Sequence, residues 1–219
     1  MKRNVSRRAL SAVLAASIAV GLNLYGTVTP AAKSDKPKKS VINGAQLNPR
    51  STGSDKYDER IAAIAGEGST YDRVRSCYTW LAANMDYLDD APRDKTGDKY
   101  LNVAHGPLFH GQGSCKNYAA ATYLMLRYIG LPDVEMVDGT IINSDGSRQY
   151  HIWNVVTLDG VRYIVDAEVD GKVYNRKGDR IRYLYFFANP ATYHENPKYL
   201  EGVHSYAGKR ETIWWEVWL

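Results

Sequence analysis

An α+β domain is predicted, and three observations predict it. Val74, Cys77, Tyr78, Leu81 and Met85 recur at helical spacing in the first half of the chain. Strand-like runs over residues 134–143, 150–158 and 161–166 follow in the second half. The last two runs are joined by Asp159-Gly160, one of the strongest two-residue hairpin signals. Helices placed ahead of antiparallel strands make an α+β domain rather than an alternating α/β one.

The chain begins with a predicted targeting segment. Lys2, Arg3, Arg7 and Arg8 precede an apolar run from Ala9 to about Tyr25, and a small, polar stretch follows to Ala32. That order reads as a secretory signal over residues 1–32, with an uncleaved anchor as the other reading. Residues 33–57 contain Lys33, Lys36, Lys38 and Lys39 among Pro, Ser, Gly and Asn, with little apolar periodicity, so a basic disordered linker is expected there. Residues 58–219 then have room for one domain with an ordinary core. The formal charge of +4 misleads about partners, because residues 1–40 hold eight Lys/Arg against one acidic residue and the remainder is net negative. No basic patch in the domain supports nucleic-acid binding.

Within the domain the first helix spans about residues 72–85. A Gly-rich turn at Gly111-Gln112-Gly113 leads to a second helix with Ala119, Tyr123, Leu126 and Ile129 on its buried face, ended by Gly130-Leu131-Pro132. The strands come next, with a turn at Ser144-Asp145-Gly146, a further strand expected near residues 182–187, and a last strand at Trp214-Trp215-Glu216-Val217-Trp218.

The chemistry centres on Cys115. It stands where the Gly-rich turn enters a run of helix formers, and both the unpaired N–H groups of a first helical turn and the helix dipole stabilise a thiolate. Lys116 adds a cation. If Asp159-Gly160 are the two loop residues, Leu158 faces Val161, and stepping back symmetrically sets Trp153 opposite Asp166. His151 is then the same-face diagonal neighbour of Asp166, roughly 7 to 8 Å away at the backbone and within side-chain reach. A nucleophile at a helix start, an imidazole to take its proton and a carboxylate to orient the imidazole form a Cys-His-Asp acyl-transfer triad.

Gly-x-Gly-x-Cys-x-x-Tyr-Ala, then His-x-Trp-Asn before a hydrophobic strand, then Asp-Gly-x-x-Tyr-x-x-Asp resembles the transglutaminase-like superfamily of papain-like cysteine enzymes, over roughly residues 71–170. The resemblance implies Cys115 as nucleophile, His151 as base and Asp166 as third member. It also implies a thioester chemistry on amide bonds of peptides or proteins, and a side-chain oxyanion donor, a role for which Gln112 is the candidate. One departure is evident: the family often continues its Asp with Pro-Thr-Trp-Asp, whereas Ala167-Glu168-Val169-Asp170 follows Asp166 here.

Other residues have plainer readings. Cys77, on the apolar face of its helix, reads as a buried structural thiol rather than a disulfide partner of Cys115. Trp153 is a candidate substrate contact or a core residue. His105, His110, His194 and His204 lack metal-ligand spacing, so neither a metal nor any other cofactor is predicted. The expectation is thus a secreted or cell-surface thiol enzyme acting on peptide or protein, cell-surface or cell-wall material included. Membrane contact is expected only through residues 1–32, if that segment stays uncleaved. The competing expectation is a catalytically silent module of the same fold that binds peptide, glycan or cell-wall material.

Overall fold

A computed structural model describes residues 35–142, 146–171, 181, 183–188 and 199–201. Three helices come first: α1 (Asp35–Gly44), α2 (Asp55–Ala65) and α3 (Thr70–Asn84). A two-residue strand β1 (Asp86–Tyr87), helix α4 (Lys99–His105) and one turn of π-helix (Gly106–His110) lead to β2 (Gln112–Gly113). The central helix α5 (Cys115–Ile129) follows, then β3 (Val134–Ile142), β4 (Arg148–Leu158), β5 (Val161–Val165), the short helix α6 (Ala167–Asp170) and β6 (Tyr199–Glu201). The long strands form one antiparallel sheet in the order β5-β4-β3-β6, so the predicted α+β class holds.

Helix α5 is the hub. The sequence pattern suggests one buried face, but both faces are covered: Lys116 through Thr122 and Leu124 through Leu126 are all buried. One side packs on α3, where Val74, Tyr78 and Leu81 share a cluster with Tyr118, Ala121 and Met125. The other meets the sheet, where Ile152 touches Ala119 and the Asn154 amide donates to the Ala119 carbonyl at 3.1 Å. A helix enclosed on both sides loses the polar stripe by which sequence periodicity locates an exposed face.

The hairpin forms in the expected register. Leu158 pairs with Val161 and the ladder runs back to Asn154 opposite Val165. Asp159 and Gly160 both adopt positive φ, 50° and 74°, as a two-residue turn of this hand requires. One strand ends earlier than expected: Asp166 leaves the ladder and caps α6.

Two expectations are corrected. Residues 38–57 are not a free linker. Ile42 lies in the main core at 1% exposure, and Tyr57 is enclosed with it. The Asn43 side-chain oxygen accepts from Tyr71 N–H, and Asn48 and Arg50 N–H donate to the carbonyls of Gly130 and Arg127 at the end of α5. Those last bonds satisfy carbonyls that a helix C-terminus leaves unpaired. Gly130 fits because a Cβ there would come within 2.7 Å of Pro49 N. Local composition missed the segment because its partners are tertiary. Similarly, the described residues 183–188 form turns rather than a strand. Tyr183 and Phe187 take positive φ, and only Ala188 bridges, to Ile164. The strand expected at 214–218 lies outside the described residues.

Two stability predictions follow from these placements. Ile42→Ala should cost about 2 to 4 kcal/mol in urea denaturation, whereas a residue of a solvated spacer would cost almost nothing. Gly160→Val forces a β-branched residue into positive φ and should cost about 1 to 2 kcal/mol. A melting curve unchanged by Gly160→Val would mean the turn does not hold the register.

Candidate active site

The loop that leads to Cys115 is built by its glycines. Gly111 adopts φ 64°, and a Cβ there would meet the Asn84 carbonyl at 2.8 Å; a Cβ at Gly113 would meet Asn117 Cβ at 2.5 Å. Both close approaches are used. β2 pairs parallel with β1 against the end of α3, with Asp86 N–H donating to Gly111 O and Leu88 N–H to Gly113 O. The chain then turns into α5 at Ser114, whose backbone N–H and hydroxyl both donate to Asn117 Oδ1 at 3.0 Å. Cys115 is the first residue of the helix. Ser114 O accepts from both Asn117 N–H at 2.9 Å and Tyr118 N–H at 3.1 Å, which closes the first turn with Cys115 at its start.

His151 and Asp166 meet as the register predicts. His151 Nε2 lies 2.7 Å from Asp166 Oδ2, with both residues buried (0% and 3% exposed). The other carboxylate oxygen, Oδ1, accepts from Glu168 and Val169 N–H at 3.1 and 3.2 Å, capping α6. Asp166 is fixed by its main chain too, its carbonyl accepting from Tyr78 Oη at 2.8 Å and its N–H donating to Tyr185 O. Since Nε2 is engaged by Asp166, Nδ1 is the ring nitrogen that faces the thiol.

Electrostatics follow from that enclosure. Burial works against a charged His151. The Asp166 carboxylate, by charge and hydrogen bond, more than reverses it, aided by a hydrogen bond with Cys115 and the charge of Glu168, so the ring holds its proton well above the usual imidazole range. The stability this charge contributes is complete below about pH 6.5, the unfolded value, and is lost as pH rises through the raised native one. Cys77 is a contrast: burial pushes its thiol up to about 12. Both cysteines are free thiols, so the disulfide is not formed.

Trp153 is corrected as a substrate contact. It is 1% exposed, stacks on His151 with ring centroids 6.1 Å apart and 18° between planes, and packs with Val137, Ile141 and Ile164. It is a wall for the imidazole, since an enclosed ring offers no face to a ligand. Gln112 is half-buried in β2 on the approach to Cys115. Asp170 stands apart from the triad. Its Oδ2 accepts from Tyr78 Oη at 2.6 Å and from Tyr185 N–H at 2.7 Å, and burial raises its carboxyl to about 6.

Two residues near the thiol, Glu168 and Tyr87, were not assigned roles from sequence. Glu168, 1% exposed, presents a carboxylate oxygen that lies with Cys115 Sγ and a His151 ring nitrogen in a group whose members are all within 4.8 Å of one another. Its signal was present in the sequence, as the acid two residues after Asp166 where the resemblance expects otherwise. Tyr87 stands at the rim, its hydroxyl donating to Asp89 at 3.0 Å. Burial, then the Cys115 charge, the Asp89 hydrogen bond and the Glu168 charge hold that phenol above its usual range. Lys116 is buried rather than solvated, and burial pulls its ammonium down.

A family model described as the transglutaminase-like superfamily matches residues 58–167. No curated protein matches the chain. Among solved structures, a candidate cysteine protease of Cytophaga hutchinsonii is similar at 14% identity and a TM-score of 0.42, covering 78% of this chain and 47% of its own. A protein described as a TGase is similar at 15% identity and 0.37, covering 78% and 40%. LapG of Legionella pneumophila is similar at 13% identity and 0.39, covering 67% and 68%. The chain thus spans less than half the length of the first two.

Asp166→Asn tests the orienting bond separately from the cap, because an Asn side-chain oxygen still caps α6. NMR titration of the His151 ring should show its pKa falling towards the ordinary value, and thiol-dependent turnover should drop on the order of a hundredfold with the fold retained. Turnover within a factor of a few of the parent would move the orienting role elsewhere.

Proposed function

The chain belongs to the transglutaminase-like superfamily, and from that premise we propose that it is an extracytoplasmic thiol enzyme that cleaves or transfers amide bonds of peptides or proteins through a thioester. The observation that carries this reading is the buried 2.7 Å bond between His151 and Asp166 with Cys115 in reach of the same ring. His151 takes the Cys115 proton, and the thiolate attacks the amide carbonyl carbon. The carbonyl electron pair moves to oxygen, where the Cys115 N–H at the start of α5 and the Gln112 amide hold it. When the tetrahedral species collapses, the C–N bond breaks and His151 gives its proton to the departing amine. The ring's elevated pKa suits that donor role near neutral pH.

The thioester then meets water, giving a peptidase or amidase, or a lysine amine, giving a protein-glutamine transglutaminase. Water is the favoured acceptor in this reading because it needs no binding site of its own. The extracytoplasmic setting rests on the basic, then apolar, order of residues 1–32, which lie outside the described residues. Among the described residues, no helix is long and apolar enough to cross a membrane.

An alkylating thiol probe at about pH 6 should label the folded chain and Cys77→Ala but not Cys115→Ala, because Cys77 is enclosed and its thiol stays protonated. No labelling of the folded parent would favour a silent binding module. Incubation with a fluorescent primary amine and a glutamine-containing protein separates the two acceptors: new peptide ends without bound dye are expected, and covalent dye incorporation would overturn hydrolysis.

A further inference from the structure

Residues far apart in the chain bring three different donor atoms to one point. Cys115 supplies a sulfur, His151 a ring nitrogen and Glu168 a carboxylate oxygen, all mutually within 4.8 Å. A tetrahedral zinc ion, with bonds of about 2.0 to 2.3 Å, holds its ligand atoms roughly 3 to 4 Å apart, so the cluster needs to close by about an ångström. We propose that Cys115, His151 and Glu168 form a binding site for a zinc-like divalent cation, and that its occupancy reversibly blocks the thiol.

Three features support a built site. The first is the outer support of the imidazole. Protein metal sites commonly tie the second ring nitrogen of a ligating His to a carboxylate, which fixes the ring's orientation and raises its basicity. Here Asp166 holds Nε2 at 2.7 Å, and Asp166 is itself fixed by the Glu168 and Val169 N–H groups. The second is the donor chemistry. Thiolate and imidazole with one carboxylate favour zinc or copper, whereas calcium and magnesium prefer all-oxygen shells. The third is access: His151 and Glu168 are enclosed, but Cys115 is partly exposed, so an ion enters from the thiol side and keeps one open position for water. Glu168 makes the difference, since His151 and Cys115 alone would offer two ligands.

Binding is simple coordination with no redox step. Cys115 and His151 each give up any proton on the ligating atom to solvent, and the ion takes a lone pair from S, N and O. The thiolate then has no free pair for a carbonyl. This regulation rests on reading Cys115 as the catalytic thiol, whereas the coordination itself does not. The His105–His110 pair, with Nε2 atoms 3.2 Å apart, lies elsewhere and provides no sulfur, so it cannot imitate the spectral signature.

The test titrates the full chain with cobalt(II) as a spectroscopic stand-in for zinc, under reducing conditions and after chelation of adventitious metal. A thiolate-to-cobalt charge-transfer band is expected in the parent, absent in Cys115→Ala, displaced by zinc, and requiring at least about tenfold more metal in Glu168→Gln. Zinc should also protect Cys115 from alkylation, reversibly on adding EDTA, while magnesium and calcium should not. Absence of the band in the parent overturns the site, as does a Glu168→Gln titration equal to that of the parent. Should Glu168→Gln melt early, the parent's band and its EDTA-reversible protection decide without any substitution. Alkylation in EDTA alone separates the two readings. Labelling without a band sinks the metal site and leaves the enzyme. A band without labelling sinks the enzyme and leaves the site.

Discussion

The Asp166 carboxylate is the joint on which the rest of the site depends. One of its oxygens orients His151 and the other caps α6, while its main-chain groups are held by Tyr78 of α3 and by Tyr185. Burying such a charge is costly unless every acceptor position is used, and here both oxygens are. The imidazole is therefore fixed by a group that is itself fixed from the helical layer and from the turn at Tyr185. That rigidity sets the His151 orientation before any substrate arrives, which is what proton transfer on a thiol requires.

The second constraint is steric. Gly111 and Gly113 let the loop before Cys115 lie against the end of α3 and against Asn117, closer than any side chain at those positions would permit. The loop's bonds to Asp86 and Leu88 fix where α5 begins, and hence where its first turn presents Cys115. Cys115 and His151 come from opposite halves of the fold, and packing of α5 on Ile152 and Asn154 brings them together. Positioning thus depends on the contact of α5 with the sheet, an apolar cluster that Cys115 itself packs against together with the Asn154 hydrogen bond.

Glu168 changes the character of this centre. A second carboxylate beside the Cys–His pair adds negative charge where the thiolate forms, and it helps to keep the imidazole protonated. The same residue that supports the imidazolium completes the three-donor set of the proposed cation site. Catalysis and inhibition would in this way draw on one arrangement of side chains.

Features fixed by local rules were legible in the sequence. The Asp159-Gly160 turn set the hairpin register, because a two-residue loop with positive φ at both positions allows one pairing, and alternation of side chains then put His151 beside Asp166. The helix start at Cys115 was equally legible, since glycines followed by helix formers need no distant partner. Tertiary structure decided what depended on distant partners. It drew Ile42 and the chain around Asn48 onto the end of α5, enclosed Trp153 behind the imidazole, and turned Glu168 towards the thiol. None of these carries a periodic or compositional signal, because each follows from which surfaces meet once α5 is buried on both sides, and burial of that kind is a property of the packed layers rather than of any one segment.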